Sequence, residues 1–183
     1  MRIISGCRRG HRLFEFKGRD IRPTTDRVKE SVFNLIQGHI EGAAVLDMFA
    51  GTGALSLEAL SRGAANAVMV DKDRRSAEII RKNIAALGFG DRCRIIEGSC
   101  FDYARRAKES FDLIFLDPPY NKGLIEQALG AICENGLLSA DGIIVLESDN
   151  TDFKSEYGAL NVIKQKRYGR TYITVYTSRS EEL

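Results

Sequence analysis

Asp117-Pro118-Pro119-Tyr120 is the most chemically loaded stretch of this chain. It follows Phe111–Leu116, an apolar run that reads as a buried strand. Proline has no backbone N–H to donate, so Pro118 and Pro119 stop the strand ladder and force a stiff turn. That turn presents a carboxylate, a backbone carbonyl and an aromatic ring at the end of a parallel strand. Open α/β sheets bind their ligands at those carboxyl ends. Two acceptors beside a flat ring suit a planar base gripped through an exocyclic amino group, which makes Asp117, Pro118, Pro119 and Tyr120 the candidate catalytic residues.

A second cluster lies upstream, in Val45-Leu46-Asp47-Met48-Phe49-Ala50-Gly51-Thr52-Gly53 at a strand-to-helix turn. Gly51 and Gly53 let the backbone pass close to a ligand with no Cβ in the way, and the helix that follows aims its N–H groups there. About 20 residues on, a second strand ends at Asp71, where a carboxylate can hold both hydroxyls of a ribose. A glycine pair alone leaves two ligands open. The third position of a dinucleotide fingerprint is Ser56 here, and Asp47 would repel a pyrophosphate. A ligand with a ribose, an adenine and an ammonium but no phosphate fits the acidic loop better, which favours S-adenosylmethionine over NAD. Ser99 and Cys100 follow the third strand, where the adenine edge is expected, and Met48, Phe49 and Leu116 are candidate walls.

The elements that must hold these groups alternate. Strands are expected at 44–47, 67–71, 93–97, 111–117 and 142–147, with helices at 54–61, 74–87, 101–108 and 125–134 between them. A helix from Asp26 runs towards Gly38, with Val28, Val32, Leu35 and Ile36 at helical spacing. Two alternating segments, 159–167 and 171–177, flank Gly169 as an antiparallel finish. The expected fold is therefore α/β: a seven-stranded, mostly parallel sheet with helices on both faces and an antiparallel C-terminal hairpin. Residues 1–16 alternate weakly around Gly6 and Gly10, suggesting a basic β-hairpin, so the chain divides into an extension (1–22) and a main domain (23–183).

Charge is segregated. Residues 1–22 hold seven Lys/Arg against two Asp/Glu, a net +5, and residues 154–179 hold six against one, again +5. The middle, 23–153, holds 14 against 20, a net −6. Basic ends around an acidic body suggest a phosphate-rich partner, with Arg2, Arg8, Arg9, Arg12, Lys17, Arg19 and Arg22 as candidate contacts. Cys7, Cys93, Cys100 and Cys133 form no C-x-x-C pair and there are two histidines, so neither a zinc site nor a disulfide framework is expected. No apolar run reaches membrane-span length and residues 1–5 lead into no signal-type core, so a soluble, cytoplasmic protein is expected.

Several segments resemble one family in order and in detail. They are Arg2-Ile3-Ile4-Ser5-Gly6, Arg22-Pro23-Thr24-Thr25-Asp26-Arg27-Val28-Lys29-Glu30, the Asp47–Leu55 loop, Leu57–Ala64 and Phe111–Tyr120. The chain is similar to the RsmD family of bacterial 16S ribosomal RNA (guanine-N2) methyltransferases. The resemblance implies a class I, Rossmann-like methyltransferase fold, S-adenosylmethionine as donor with no metal, and a guanine of 16S rRNA in a small-subunit assembly particle as target. It implies a donor site of Thr25, Asp47, Phe49, Ala50, Gly51, Gly53, Asp71, Lys72, Ser99 and Cys100, with the Thr24–Arg27 segment closing over the donor's amino-acid end. RNA contacts are expected from Arg2, Arg8, Arg9, Arg12 and Arg22. Ser99 stands where many relatives carry an acidic residue, so a hydroxyl or backbone group would meet the adenine amine. His11 stands where a second long basic residue is common. The Asp-Pro-Pro-Tyr element by itself also fits an adenine-N6 or cytosine-N4 methyltransferase, and a non-catalytic RNA-binding assembly factor on the same fold is a further alternative.

Overall fold

The computed structural model describes residues 1–16, 26–119, 123–151, 153 and 156–178. Strands β1 (Ala44–Asp47), β2 (Asn66–Asp71), β3 (Cys93–Glu97), β4 (Phe111–Leu116) and β5 (Leu138–Ser148) pair in parallel. They alternate with helices α2 (Ala54–Ser61), α3 (Arg74–Leu87), α4 (Cys100–Arg106) and α5 (Leu124–Glu134), after α1 (Asp26–Leu35). Strands β7 (Leu160–Tyr168) and β8 (Thr171–Thr177) close the sheet as an antiparallel hairpin, with β8 against β5. A two-residue strand, β6 (Glu156–Tyr157), lies along β7 and adds a short eighth member to the expected seven. The order is β3-β2-β1-β4-β5-β8-β7-β6.

The parity of each strand sorts its side chains onto two cores. Val45, Met69, Leu113, Phe115, Ile143 and Val145 face α1, α2 and α3, whereas Leu46, Val70, Ile114, Leu116, Ile144 and Leu146 face α4 and α5. Burial on both sides explains why β1, β2 and β4 are apolar runs rather than alternating ones. Helix α3 shows how local chemistry sets the bounds. The Asp73 side chain accepts from Arg75 N–H at 2.9 Å, Ala77, Ile80, Ile84 and Leu87 line one face, and Gly88 ends the helix at φ +69°. Strand β5 begins earlier than expected, because Leu138 pairs with Phe111 before a register shift that resumes at Leu113–Ile143. No helix among the described residues is long and apolar enough to cross a membrane.

The N-terminal extension turns back on itself in a short antiparallel pairing, with Leu13 N–H donating to Met1 O at 3.1 Å. One antiparallel bridge joins Arg2 to Arg12, with Ile3 N–H donating to His11 O at 2.9 Å. Several of its remaining backbone N–H groups are claimed by α2. Ile4 and Ser5 N–H groups donate to the Glu58 carboxylate at 2.8 and 3.0 Å, Cys7 N–H donates to Ser61 O at 2.8 Å, and Arg8 N–H donates to Ser61 Oγ at 3.0 Å. Gly6 sits at φ +83°, and a Cβ there would lie 1.8 Å from Ser61 O, so only glycine permits this approach. Buried Ile3 and Leu13 join the core beneath. Glu58 also pairs with Lys29 of α1 at 3.2 Å and with Arg62 at 2.8 Å, which ties extension, α1 and α2 at one fully buried carboxylate.

Candidate active site

Asp71, Asp47 and Asp117 end three consecutive strands of the order β2-β1-β4, Asp117 lying one residue beyond β4. Alternation puts all three on the face shared by Met69, Val45 and Phe115. The sheet therefore delivers a row of carboxylates to its carboxyl edge, above the N-terminus of α2.

Asp47 is 2% exposed. Its Oδ2 accepts from the Ser56 hydroxyl at 3.2 Å, while its Oδ1 has no hydrogen-bond partner among the described residues. Burial pushes its carboxyl up to about 7, opposed chiefly by the Ser56 hydrogen bond and reinforced by the charge of Asp71. An orphaned buried carboxylate oxygen costs free energy unless a donor reaches it. Asp71 is half-buried and anchors the glycine loop. Its Oδ2 accepts from Gly51 N–H and its Oδ1 from Asp73 N–H, each at 2.8 Å. Each oxygen keeps a second lone pair for a ligand hydroxyl.

The two glycines differ in purpose. A Cβ on Gly51 (φ +55°) would meet nothing nearer than Phe49 O at 4.0 Å, so the loop is open on that side. A Cβ on Gly53 (φ +77°) would press on Met69 Sδ at 3.0 Å and Ile80 at 3.3 Å. Gly53 is thus required by core packing and by its left-handed backbone. Phe49 is half-buried and Ala50 buried, with Ala50 N–H bonded to Val70 O at 3.0 Å. Lys72 is exposed beside the loop.

Ser99 caps α4, its Oγ accepting from Phe101 N–H at 3.2 Å. Its hydroxyl hydrogen remains available to donate. Cys100 is buried, and burial pushes its thiol up to about 11, so it stays neutral. Asp117 is half-buried and Pro118 buried. Burial, then the charges of Glu147 and Asp47, hold the Asp117 carboxyl well above the ordinary range. Tyr120, Thr25, Lys17, Arg19 and Arg22 lie outside the described residues.

The basic candidates separate by their partners. Arg8 Nε donates to Leu87 O at 2.6 Å and its guanidinium packs 5.6 Å from the Phe89 ring, so it fastens the extension to α3. Arg2 pairs with Asp26 at 2.9 Å. Arg9 and Arg12 are exposed. Arg2, Ser5, Arg9, Asn34 and Arg62 line a cleft of about 370 Å³ beside the extension.

Three residues here escaped the reading of the sequence. Ser56 orients Asp47. Fully buried Asn83 on α3 exchanges hydrogen bonds with the Phe14 backbone and donates to Thr52 O at 2.9 Å, linking the extension to the glycine loop. Glu147 approaches Asp117 from β5.

Comparison with known proteins adds the following. Residues 1–177 match a family model described as conserved hypothetical protein 95. The chain is 36% identical over 183 residues to the Bacillus subtilis protein YlbH, covering 98% of this chain and 100% of that one. It is 38% identical over 149 residues to ribosomal RNA small subunit methyltransferase D of Escherichia coli, covering 81% of this chain and 75% of that one. Among solved structures, the Escherichia coli protein yhhF superposes with a TM-score of 0.87 at 32% identity over 96% of each chain. A Haemophilus influenzae protein does so at 0.83 and 31% over 98% of each.

Proposed function

Because the chain belongs to the RsmD family, we propose that it methylates the exocyclic N2 of a guanine in 16S rRNA during small-subunit assembly, with S-adenosylmethionine as donor. The observation that carries this reading is the row of strand-end carboxylates, Asp47 buried with one oxygen unsatisfied among the described residues and Asp71 and Asp117 half-buried beside it, Asp117 leading into Pro118 and Pro119.

The residues fit this donor. Asp47 would take its ammonium, Asp71 its ribose hydroxyls, and the open side of Gly51 its body, with Thr25, Phe49, Ala50, Lys72, Ser99 and Cys100 completing the site. A dinucleotide fits worse, since its pyrophosphate would face Asp47. Bound there, S-adenosylmethionine supplies a methyl group on a sulfonium that departs as a neutral thioether, so no metal is called for.

The chain's own task is to make a poor nucleophile competent. The N2 lone pair of guanine is delocalised into the ring. The Asp117 carboxylate and the Pro118 carbonyl each accept one of its N–H bonds, which pyramidalises the nitrogen and aims the lone pair. Holding that geometry is an orientation effect, and the carboxylate stabilises the positive charge that grows on nitrogen. Asp117 then accepts the proton that N2 releases, directly or through water. Tyr120 stacks on the flipped base, and stacking worth about 1–3 kcal/mol offsets the cost of unstacking it from the RNA. Exposed Arg9 and Arg12, with Arg2 and Arg22, grip phosphates beside the site.

Incubation with labelled S-adenosylmethionine and small ribosomal subunits, naked rRNA or DNA tests this. Label in small-subunit RNA is the expected result. Label in DNA alone, or none in any nucleic acid, overturns it.

A further inference from the structure

The carboxylate row has a fourth member. Glu147 sits near the end of β5 and is 9% exposed. The parallel register pairs Leu116 with Leu146, so Glu147 stands level with Asp117 on the adjacent strand. Its parity is that of Val145, which puts it on the face of Asp71, Asp47 and Asp117. The strand order β2-β1-β4-β5 then reads as an order of acids along one edge, at about 4.8 Å per strand. In the proposed function the donor lies over the first two and the acceptor nitrogen on the third. A base whose amino group meets Asp117 from the side away from the donor therefore has Glu147 as its next strand-end neighbour.

The bases differ at the atom beside their exocyclic amine. In guanine one ring position flanking N2 is N1–H, a donor, and the other is the bare N3. In adenine the ring nitrogen flanking N6 is N1, and in cytosine the one flanking N4 is N3, both bare lone pairs. A carboxylate one strand from the amine acceptor complements two adjacent donors and opposes a donor next to a lone pair. Resting on the function proposed above, we propose that Glu147 is a specificity-determining residue that accepts the N1–H of the target guanine while Asp117 and Pro118 hold its N2. The two carboxylates together read a feature that only guanine among the four bases presents. The electrostatic coupling of Asp117 to Glu147 fits two carboxylates within reach of one base.

The test uses 2-aminopurine, which keeps the N2 amine but carries a lone pair at N1. The guanine that takes label is mapped, and small subunits are reconstituted with guanine or 2-aminopurine at that position. Wild-type kcat/KM is expected to be about 100-fold lower on 2-aminopurine, because a buried acceptor is left facing a lone pair. Glu147→Gln can donate to that lone pair and is expected to bring the two substrates within about tenfold of each other, with donor affinity held within about threefold as the check on folding. Glu147→Asp, which keeps the charge but withdraws it by one methylene, is the second variant and should lower the guanine preference at least about tenfold. A wild-type enzyme indifferent to the substitution, or folded variants with the wild-type ratio, overturns the role of Glu147 and leaves methyl transfer standing. Absence of label from every guanine overturns the proposed function and this role with it.

Discussion

Asp47→Asn separates the stability of the fold from the needs of the donor site. The carboxyl is moved from 3.8 to about 7, first by burial. That displacement corresponds to about 4 kcal/mol, at about 1.4 kcal/mol per tenfold change in proton affinity. The folded protein holds this proton more tightly than the unfolded chain does. Wild-type stability therefore declines as pH rises from about 4 to about 7, and the full penalty applies above that range. Asparagine carries no charge at any of these pH values. It leaves an amide group unpaired in place of Oδ1, which costs about 1–3 kcal/mol. The variant should fall about 1–3 kcal/mol below wild type near pH 3 and exceed it by about 1–3 kcal/mol above pH 7. Donor affinity should move the other way. Removing one partner of a buried charge pair costs at least about 2 kcal/mol, or about 30-fold in Kd. Urea denaturation from pH 3 to 8, with calorimetric titration of S-adenosylmethionine at pH 8, measures both. A stability difference that does not grow with pH, or an unchanged Kd, refutes the assignment of Asp47 as a strained ammonium acceptor.

Other perturbations probe different links. Asp117→Asn should lower methyl transfer about 100- to 1,000-fold while donor affinity stays within about threefold, measured by single-turnover kinetics and calorimetry. Gly6→Ala drives a Cβ onto Ser61 O and forces a left-handed backbone on an L residue. It should cost at least about 2 kcal/mol and expose the extension to limited proteolysis, and wild-type resistance would contradict the docking described. Arg9→Glu should weaken RNA binding and reduce the slope of log affinity against log salt by about one or more, read by filter binding across a salt series.

The parallel sheet was legible because fully buried strands leave uninterrupted apolar runs, and helix α3 because an aspartate cap and a terminal glycine bracket its periodic face. The extension was read as a hairpin because its alternation is real. What the alternation could not show is that Glu58 and Ser61 of α2 take several of its backbone hydrogen bonds, a contact across more than 50 residues. Ser56 registered only as a missing glycine, yet it orients Asp47. Glu147 had a signal that went unused. Val45-Leu46-Asp47, Val70-Asp71, Phe115-Leu116-Asp117 and Val145-Leu146-Glu147 all end an apolar strand in an acid, and parity within each strand suffices to align them. Asn83 had none, since a buried asparagine on a helix face declares its backbone partners only once the loops are in place.

The central claim is that this site methylates the N2 of guanine in small-subunit rRNA. The most direct measurement treats small subunits with the protein and S-adenosylmethionine carrying a trideuterated methyl group, digests the rRNA to nucleosides and separates them by mass spectrometry. The account predicts deuterated N2-methylguanosine, abolished or nearly so by Asp117→Asn. Deuterium in N6-methyladenosine or N4-methylcytidine instead, or in no nucleoside at all, would contradict it.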